Sequence, residues 1–223
     1  MADTKPLGSL DYFKIIAALL VIAIHTSPLT SFNVEADFVL TRIIARTAVP
    51  FFLMVTGYFL LPQYIWGKSM DYRPLFRFIQ KTLLLYAIAI LIFLPVNLYA
   101  GQLENIEAID LIRMLIFDGT FYHLWYLPAS VTGMLILWIL GKKFNFKVLF
   151  IICLVLYGFG LVGDSYYGFT NMFPTVKSLY DTLFHIFSYT RNGIFYVPIF
   201  LVMGAWFGHT PQRRKRIYNI YGF

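Results

Sequence analysis

The chain has 223 residues, 59% of them hydrophobic and 13% charged. Soluble domains carry about 25% charged residues, so this composition excludes an ordinary water-soluble fold. The net charge of +7 does not indicate nucleic acid, because the basic residues stand between long apolar runs, where membrane topology accounts for them.

Six apolar segments fall at roughly 11–28, 38–61, 78–99, 122–141, 146–163 and 193–209. Each is near the length needed to cross about 30 Å of hydrocarbon. The fold class expected is all-α: a polytopic transmembrane bundle of about six spanning helices plus one or two interfacial amphipathic helices. The whole of 1–223 reads as a single integral-membrane domain, the N-terminal part of a longer membrane unit.

The first segment contains DYFKIIAALLVIAIH, residues 11–25. No A-x-A-type cleavage site follows it, so it reads as a retained helix. Lys14 and His25 are eleven residues apart. At about 100° per residue they return to nearly one face, about 16 Å apart along the axis. The second segment carries Arg42 and Arg46, one turn apart. A cation deep in a bilayer costs about 2.5–3.5 kcal/mol on insertion scales, so such residues usually face a cavity or a partner.

After the third segment, Ile106, Ile109, Ile112 and Ile116 recur at helical spacing. Val176, Leu179, Tyr180, Leu183, Phe184 and Phe187 do the same after the fifth. Both stretches read as amphipathic helices in the interface or capping the bundle. The fourth segment opens at FYHLWYL, with His123 and Trp125, and the sixth follows TRNG, with Arg191 and Asn192.

A cytoplasmic N-terminus puts Lys5, Lys68, Arg73, Arg77, Lys81, Lys142, Lys143, Lys147 and the RRKR run at 213–216 inside. The outer loops then receive only Arg113, Lys177 and Arg191, as the positive-inside rule requires. In this frame His25, Arg42 and Arg46, His123, and Arg191 reach one depth from four segments. A shared polar cavity near the outer face is the reading adopted; separate snorkelling of each side chain to the headgroups is the alternative. By spacing alone, a histidine at a helix end is more often interfacial than catalytic. A neutral imidazole can still take a hydroxyl proton, and nearby arginines can hold an anion.

Other signals carry less. GFGLVG at 158–163 ends a membrane segment instead of following a strand, which argues against dinucleotide binding. Gly204 and Gly208 form a G-x-x-x-G suited to close helix packing. The four histidines lack zinc spacing, and the single cysteine, Cys153, excludes an intrachain disulfide.

Taken in order, these stretches resemble a known family. DYFKIIAALLVIAIH is similar to the first-helix signature of the integral-membrane acyltransferase-3 family. RTAVPFFLMVTGYFL looks like its second-helix pattern, with Arg46, Pro50, Phe51, Phe52 and Gly57, and YHLWYLPA looks like its H-L-W-[FY]-L segment. RNGIFYVPIFLVMG is similar to a later segment, above all in the membrane domain of vancomycin-resistance serine racemases. The resemblance implies acyl transfer from acyl-CoA, with no covalently bound cofactor, to a hydroxyl or amine of a cell-envelope or small-molecule acceptor. His25 would be catalytic, with His123 beside it, and Lys14 would take a donor-binding position. Arg42, Arg46, Trp125, Arg191 and Asn192 would line the substrate site.

The family unit usually has about ten helices, more than the six counted here. The racemase branch implies a different role, which is binding or taking up L-serine for a fused soluble racemase domain, itself absent from these residues. A non-catalytic membrane anchor is the third reading. Both termini are expected in the cytoplasm.

Overall fold

The computed structural model describes residues 8–103, 106–121 and 123–209. Lys5 and the RRKR run lie outside the described residues. The regular elements among the described residues are all helices, with no strand.

Helix α1 runs Gly8–Thr26. A turn then leads to Asn33, whose side chain caps the next helix by accepting from the Ala36 N–H at 2.9 Å. From there the backbone stays helical over Val34–Leu60, but not uniformly. It begins as α2 (Val34–Phe38) and widens into a π-helical turn over Val39–Ile44. It then tightens into a 3₁₀ turn over Ala45–Thr47 and continues as α3 (Ala48–Leu60). Mid-helix changes of this kind often mark functional positions, and here they bracket Arg42 and Arg46.

The short α4 (Pro62–Ile65) turns the chain into α5 (Arg73–Tyr99). After α5 come α6 (Ala108–Arg113) and a second π-helical turn, Met114–Asp118. Next are α7 (Tyr126–Lys143) and α8 (Phe146–Gly163), the latter capped by Asn145 on the Val148 N–H at 3.0 Å. A 3₁₀ segment (Tyr167–Met172), α9 (Pro174–Leu183) and α10 (Val197–Gly208) complete the described chain.

The core is built around α10, which packs against α3, α7 and α8. Leu53, Met134, Leu137, Leu149, Cys153, Val197, Leu201 and Val202 are all fully buried there. The α3–α10 contact is closest. A Cβ on Gly57 would run into the Leu201 carbonyl, and one on Gly204 into the Met54 carbonyl. Small residues let backbones approach in this way, as the G-x-x-x-G spacing anticipates.

Among the described residues, three helices are long and apolar enough to cross a membrane: Val34–Leu60, α5 and α8. Their outward faces are apolar, with Leu84, Leu91, Ile92 and Val155 all more than half exposed. An apolar surface of that extent belongs against lipid. The fifth segment falls where the sequence places it. The sixth is shorter than expected, because residues 193–196 turn before α10 begins and leave 12 helical residues. The fourth starts later, at Tyr126, so His123 and Trp125 occupy turns ahead of the helix.

Candidate functional site at one end of the bundle

The chain turns at two ends of the bundle, and the ends differ in chemistry. At one, Lys68 Nζ donates to the Gly141 carbonyl, closing the C-terminus of α7. Lys142 Nζ sits 3.7 Å above the Trp138 ring and 5.0 Å from that of Tyr72. Arg73 pairs with Asp71 at 2.9 Å, and this holds the Asp71 carboxyl below the usual carboxylate range. Lysines and arginines here are exposed or paired along the rim.

At the other end the polar groups converge. His25 ends α1 and His123 precedes α7, and their rings meet at 4.9 Å between centroids, tilted by 55°. The His123 ring also stands edge-on to Phe93 at 5.0 Å and Phe121 at 4.7 Å. Those two phenylalanines stack on each other at 4.7 Å. Thus α1, α5 and the loop before α7 build one imidazole-lined corner. Arg46, half-buried in its 3₁₀ turn, lies close enough for its charge to act on His25 and on Tyr196.

Tyr196 leads to the second part of the site. Its ring packs against Trp125 at 5.8 Å and Tyr157 at 5.9 Å. Arg191 lies 5.8 Å from the Trp125 ring and an equal distance from that of Tyr189. Its Nε is 3.5 Å from Asp164 Oδ2, but that buried atom makes no hydrogen bond. A cation, an anion and aromatic walls therefore stand side by side, one residue beyond the end of α8.

The loops that carry these groups are tied by Asp118. Its carboxylate accepts from the Ser188 N–H at 3.0 Å and from the Ser188 hydroxyl at 2.7 Å. The Tyr189 hydroxyl donates to the Asp118 carbonyl. Gly119 follows with φ of +81°, where a Cβ would strike the Trp125 backbone. One acidic side chain thus fastens the Arg191 loop to the stretch that presents His123 and Trp125.

The structure gathers His25, His123, Arg46, Trp125 and Arg191 at this end. Arg42 sits in the π-helical turn nearby, on the exposed surface. Lys14 is on the same helix as His25 but nearly three turns away, where it pairs with Asp11 at 3.0 Å. Asn192 is fully buried, and its amide serves its own loop. Oδ1 accepts from the Ile194 N–H at 2.9 Å, and Nδ2 donates to the Tyr189 carbonyl at 3.1 Å. It fixes the turn that holds Arg191 and starts α10. Asp118, Asp164, Tyr157, Tyr196 and Phe93 were not signalled by the sequence, because their role follows from which loops meet. No group of three or more His, Cys, Asp or Glu suited to a metal occurs among the described residues.

A helical bundle with long lipid-facing apolar helices and an imidazole pair at one end defines a class of membrane protein. A family model described as an acyltransferase domain matches residues 7–215, and the chain belongs to this acyltransferase-3 family. Two proteins named amino-acid racemase, both from Enterococcus faecalis, are 43% and 40% identical over 99% and 88% of this chain. A serine/alanine racemase from Enterococcus gallinarum is 39% identical over 92% of it. The chain spans only 31%, 28% and 30% of the lengths of these three relatives. No solved structure gives a significant match.

Proposed function

We propose that this chain is the membrane-embedded unit of a racemase-type protein, and that its outward-facing end binds a small amino acid, L-serine first among them. The observation that carries this reading is the pairing of Arg191 with Asp164 beside aromatic walls. An amino acid is a zwitterion. A guanidinium with a free donor suits its carboxylate, and the acidic and aromatic surroundings favour a ligand that also carries a positive charge. The racemase names of the relatives favour the same ligand class.

In this reading the chain is multi-pass, with about six crossings and the basic end of the bundle facing the cytoplasm. The site then opens outward, and the bilayer is its first partner. A soluble racemase domain is the second, acting on the L-serine that the membrane unit takes up or presents. Scintillation-proximity binding of labelled L-serine to the purified protein tests it. Saturable binding that falls at least tenfold in Arg191→Gln is the expected result; no saturable binding to the intact wild type rejects it.

A second reading, acyl transfer from acyl-CoA, is favoured by the His25–His123 contact beside Arg46. One imidazole would take the proton of an acceptor hydroxyl, the other would orient it, and Arg46 would stabilise the oxyanion. Lys14, near the inner surface, would meet the phosphates of the donor. Labelled acyl-CoA on the same preparation separates the readings: label on an acceptor, lost in His25→Ala while L-serine binding persists, favours transfer.

A further inference from the structure

The inward stripe of α5 carries Tyr86, Phe93 and Asn97, at helical spacing. Asn97 is 3% exposed, near the outer end of the helix, in a face that is otherwise apolar. Its Nδ2 donates to the Thr120 carbonyl at 2.7 Å. That bond fixes the orientation of the amide, because a carbonyl only accepts. The Asn97 Oδ1 is left buried with no hydrogen-bond partner, and the buried Thr120 hydroxyl has only the Tyr86 hydroxyl beside it. Tyr86 reaches the same place: its hydroxyl makes a long contact of 3.4 Å to the Met114 carbonyl and faces Thr120, with the Asp118 charge nearby.

Buried polar side chains in folded proteins are nearly always satisfied, so an orphaned Asn97 oxygen beside two hydroxyls with acceptor capacity to spare needs an explanation. Their position supplies one. Thr120 precedes Phe121, and Phe93 lies one turn from Asn97. Those two rings stack together, and the edge of His123 meets both. These oxygens therefore share a wall with the imidazole corner. Asn97 Oδ1 is an acceptor only, and the two hydroxyls can accept as well as donate. The aromatic faces beside these acceptors favour a cation over an anion; the Asp118 carboxylate close by is already matched by Arg113, whose Nε lies 3.6 Å from it, and by Ser188.

We infer that Asn97, Thr120 and Tyr86 form a subsite for a primary ammonium group, which Asn97 Oδ1, the Thr120 hydroxyl and the Tyr86 hydroxyl receive as acceptors beside the stacked Phe93 and Phe121 rings. The inference deepens the amino-acid reading, since it assigns the amino end of that ligand, but it does not need Arg191.

The test uses the intact protein in lipid nanodiscs, with L-serine, N-acetyl-L-serine and ethanolamine as probes, on the wild type, Thr120→Val and Asn97→Leu. Valine removes the hydroxyl at constant shape and leaves the Thr120 carbonyl that Asn97 uses, so it remains informative if Asn97→Leu does not fold. The expected result is that L-serine and ethanolamine bind the wild type and N-acetyl-L-serine does not. Both variants weaken the two amines at least fivefold, and Thr120→Val melts at or above the wild-type temperature without ligand. Unchanged amine affinity in Thr120→Val, or N-acetyl-L-serine binding as tightly as L-serine, overturns the subsite; a higher melting temperature alone then identifies a pair that merely holds a buried water. Ethanolamine binding that the variants weaken, without L-serine binding, rejects the amino-acid reading and keeps the subsite. If neither amine binds the wild type, both fall.

Discussion

The α3–α10 contact and the imidazole corner lie in one bundle and are built on opposite rules. In the first, glycines let two backbones touch, the surrounding side chains are fully buried, and no charged group intervenes. In the second, regular helix gives way to π-helical and 3₁₀ turns, the rings of His25, His123, Phe93 and Phe121 meet, and buried polar atoms stand without partners. Dry close packing determines the fold, whereas departures from it leave polar groups that the packing itself does not satisfy.

The sharpest way to break the comparison is at the glycines. Gly204→Leu forces α10 off α3, and we expect a loss of about 3 kcal/mol or more, or failure to fold, read as thermal melting of the solubilised protein. A melting temperature close to that of the wild type would mean that the bundle does not depend on this contact. His25→Ala and His123→Ala should leave melting within about 0.5 kcal/mol, because His25 is exposed and His123 half-exposed. If the acyl-transfer reading is right, they should slow that reaction by about 10²–10⁴-fold.

Asp118→Asn should cost about 1–3 kcal/mol, since the Ser188 N–H and hydroxyl lose a charged acceptor in a buried place. Faster proteolysis within residues 186–192, read by mass spectrometry, would localise the loss to the loop. The smallest effect is expected at the basic rim. Arg73 holds the Asp71 carboxyl below its ordinary range, so that contact is complete at neutral pH and fades as pH falls through the lowered value. Both groups are open to solvent and screened, and Arg73→Ala should leave the melting temperature unchanged from neutral to mildly acidic pH.

Much of the fold was legible because its signals are local. The fifth segment has Asn145 as a cap before it and Asp164 just after its last glycine, so its ends could be placed from residue types alone. The G-x-x-x-G at Gly204 and Gly208 gave the closest helix contact from spacing. The sixth helix was drawn too early, because Gly193, Ile194, Phe195 and Tyr196 are apolar enough to continue a span. Only the Asn192 bonds to two following N–H groups show the chain still turning there.

For the candidate site, residue type and topology placed His25, Arg46, His123, Trp125 and Arg191 at one end. The neighbours that set their environment were not legible. Asp164 pairs with Arg191 from the far side of a 3₁₀ segment and α9, and Asp118 reaches Ser188 across a separation of 70 residues. Asn97 looked like one more polar residue at the close of an apolar run. Its isolation depends on what the loop after the second π-helical turn brings over it.

His25 rides on a helix with few anchors. Of α1, only Ala17 and Ala23 are buried among the described side chains, while Tyr12, Phe13, Ile15, Ile16, Leu19 and Ile22 lie largely open. His123, by contrast, stands edge-on against the stacked Phe93 and Phe121 rings, on the body of the bundle. The two imidazoles therefore meet where a helix with few buried side chains lies against the body of the bundle. A change in the tilt of α1 would alter the spacing of these two rings more than it alters the core, and bilayer thickness is one way to change that tilt.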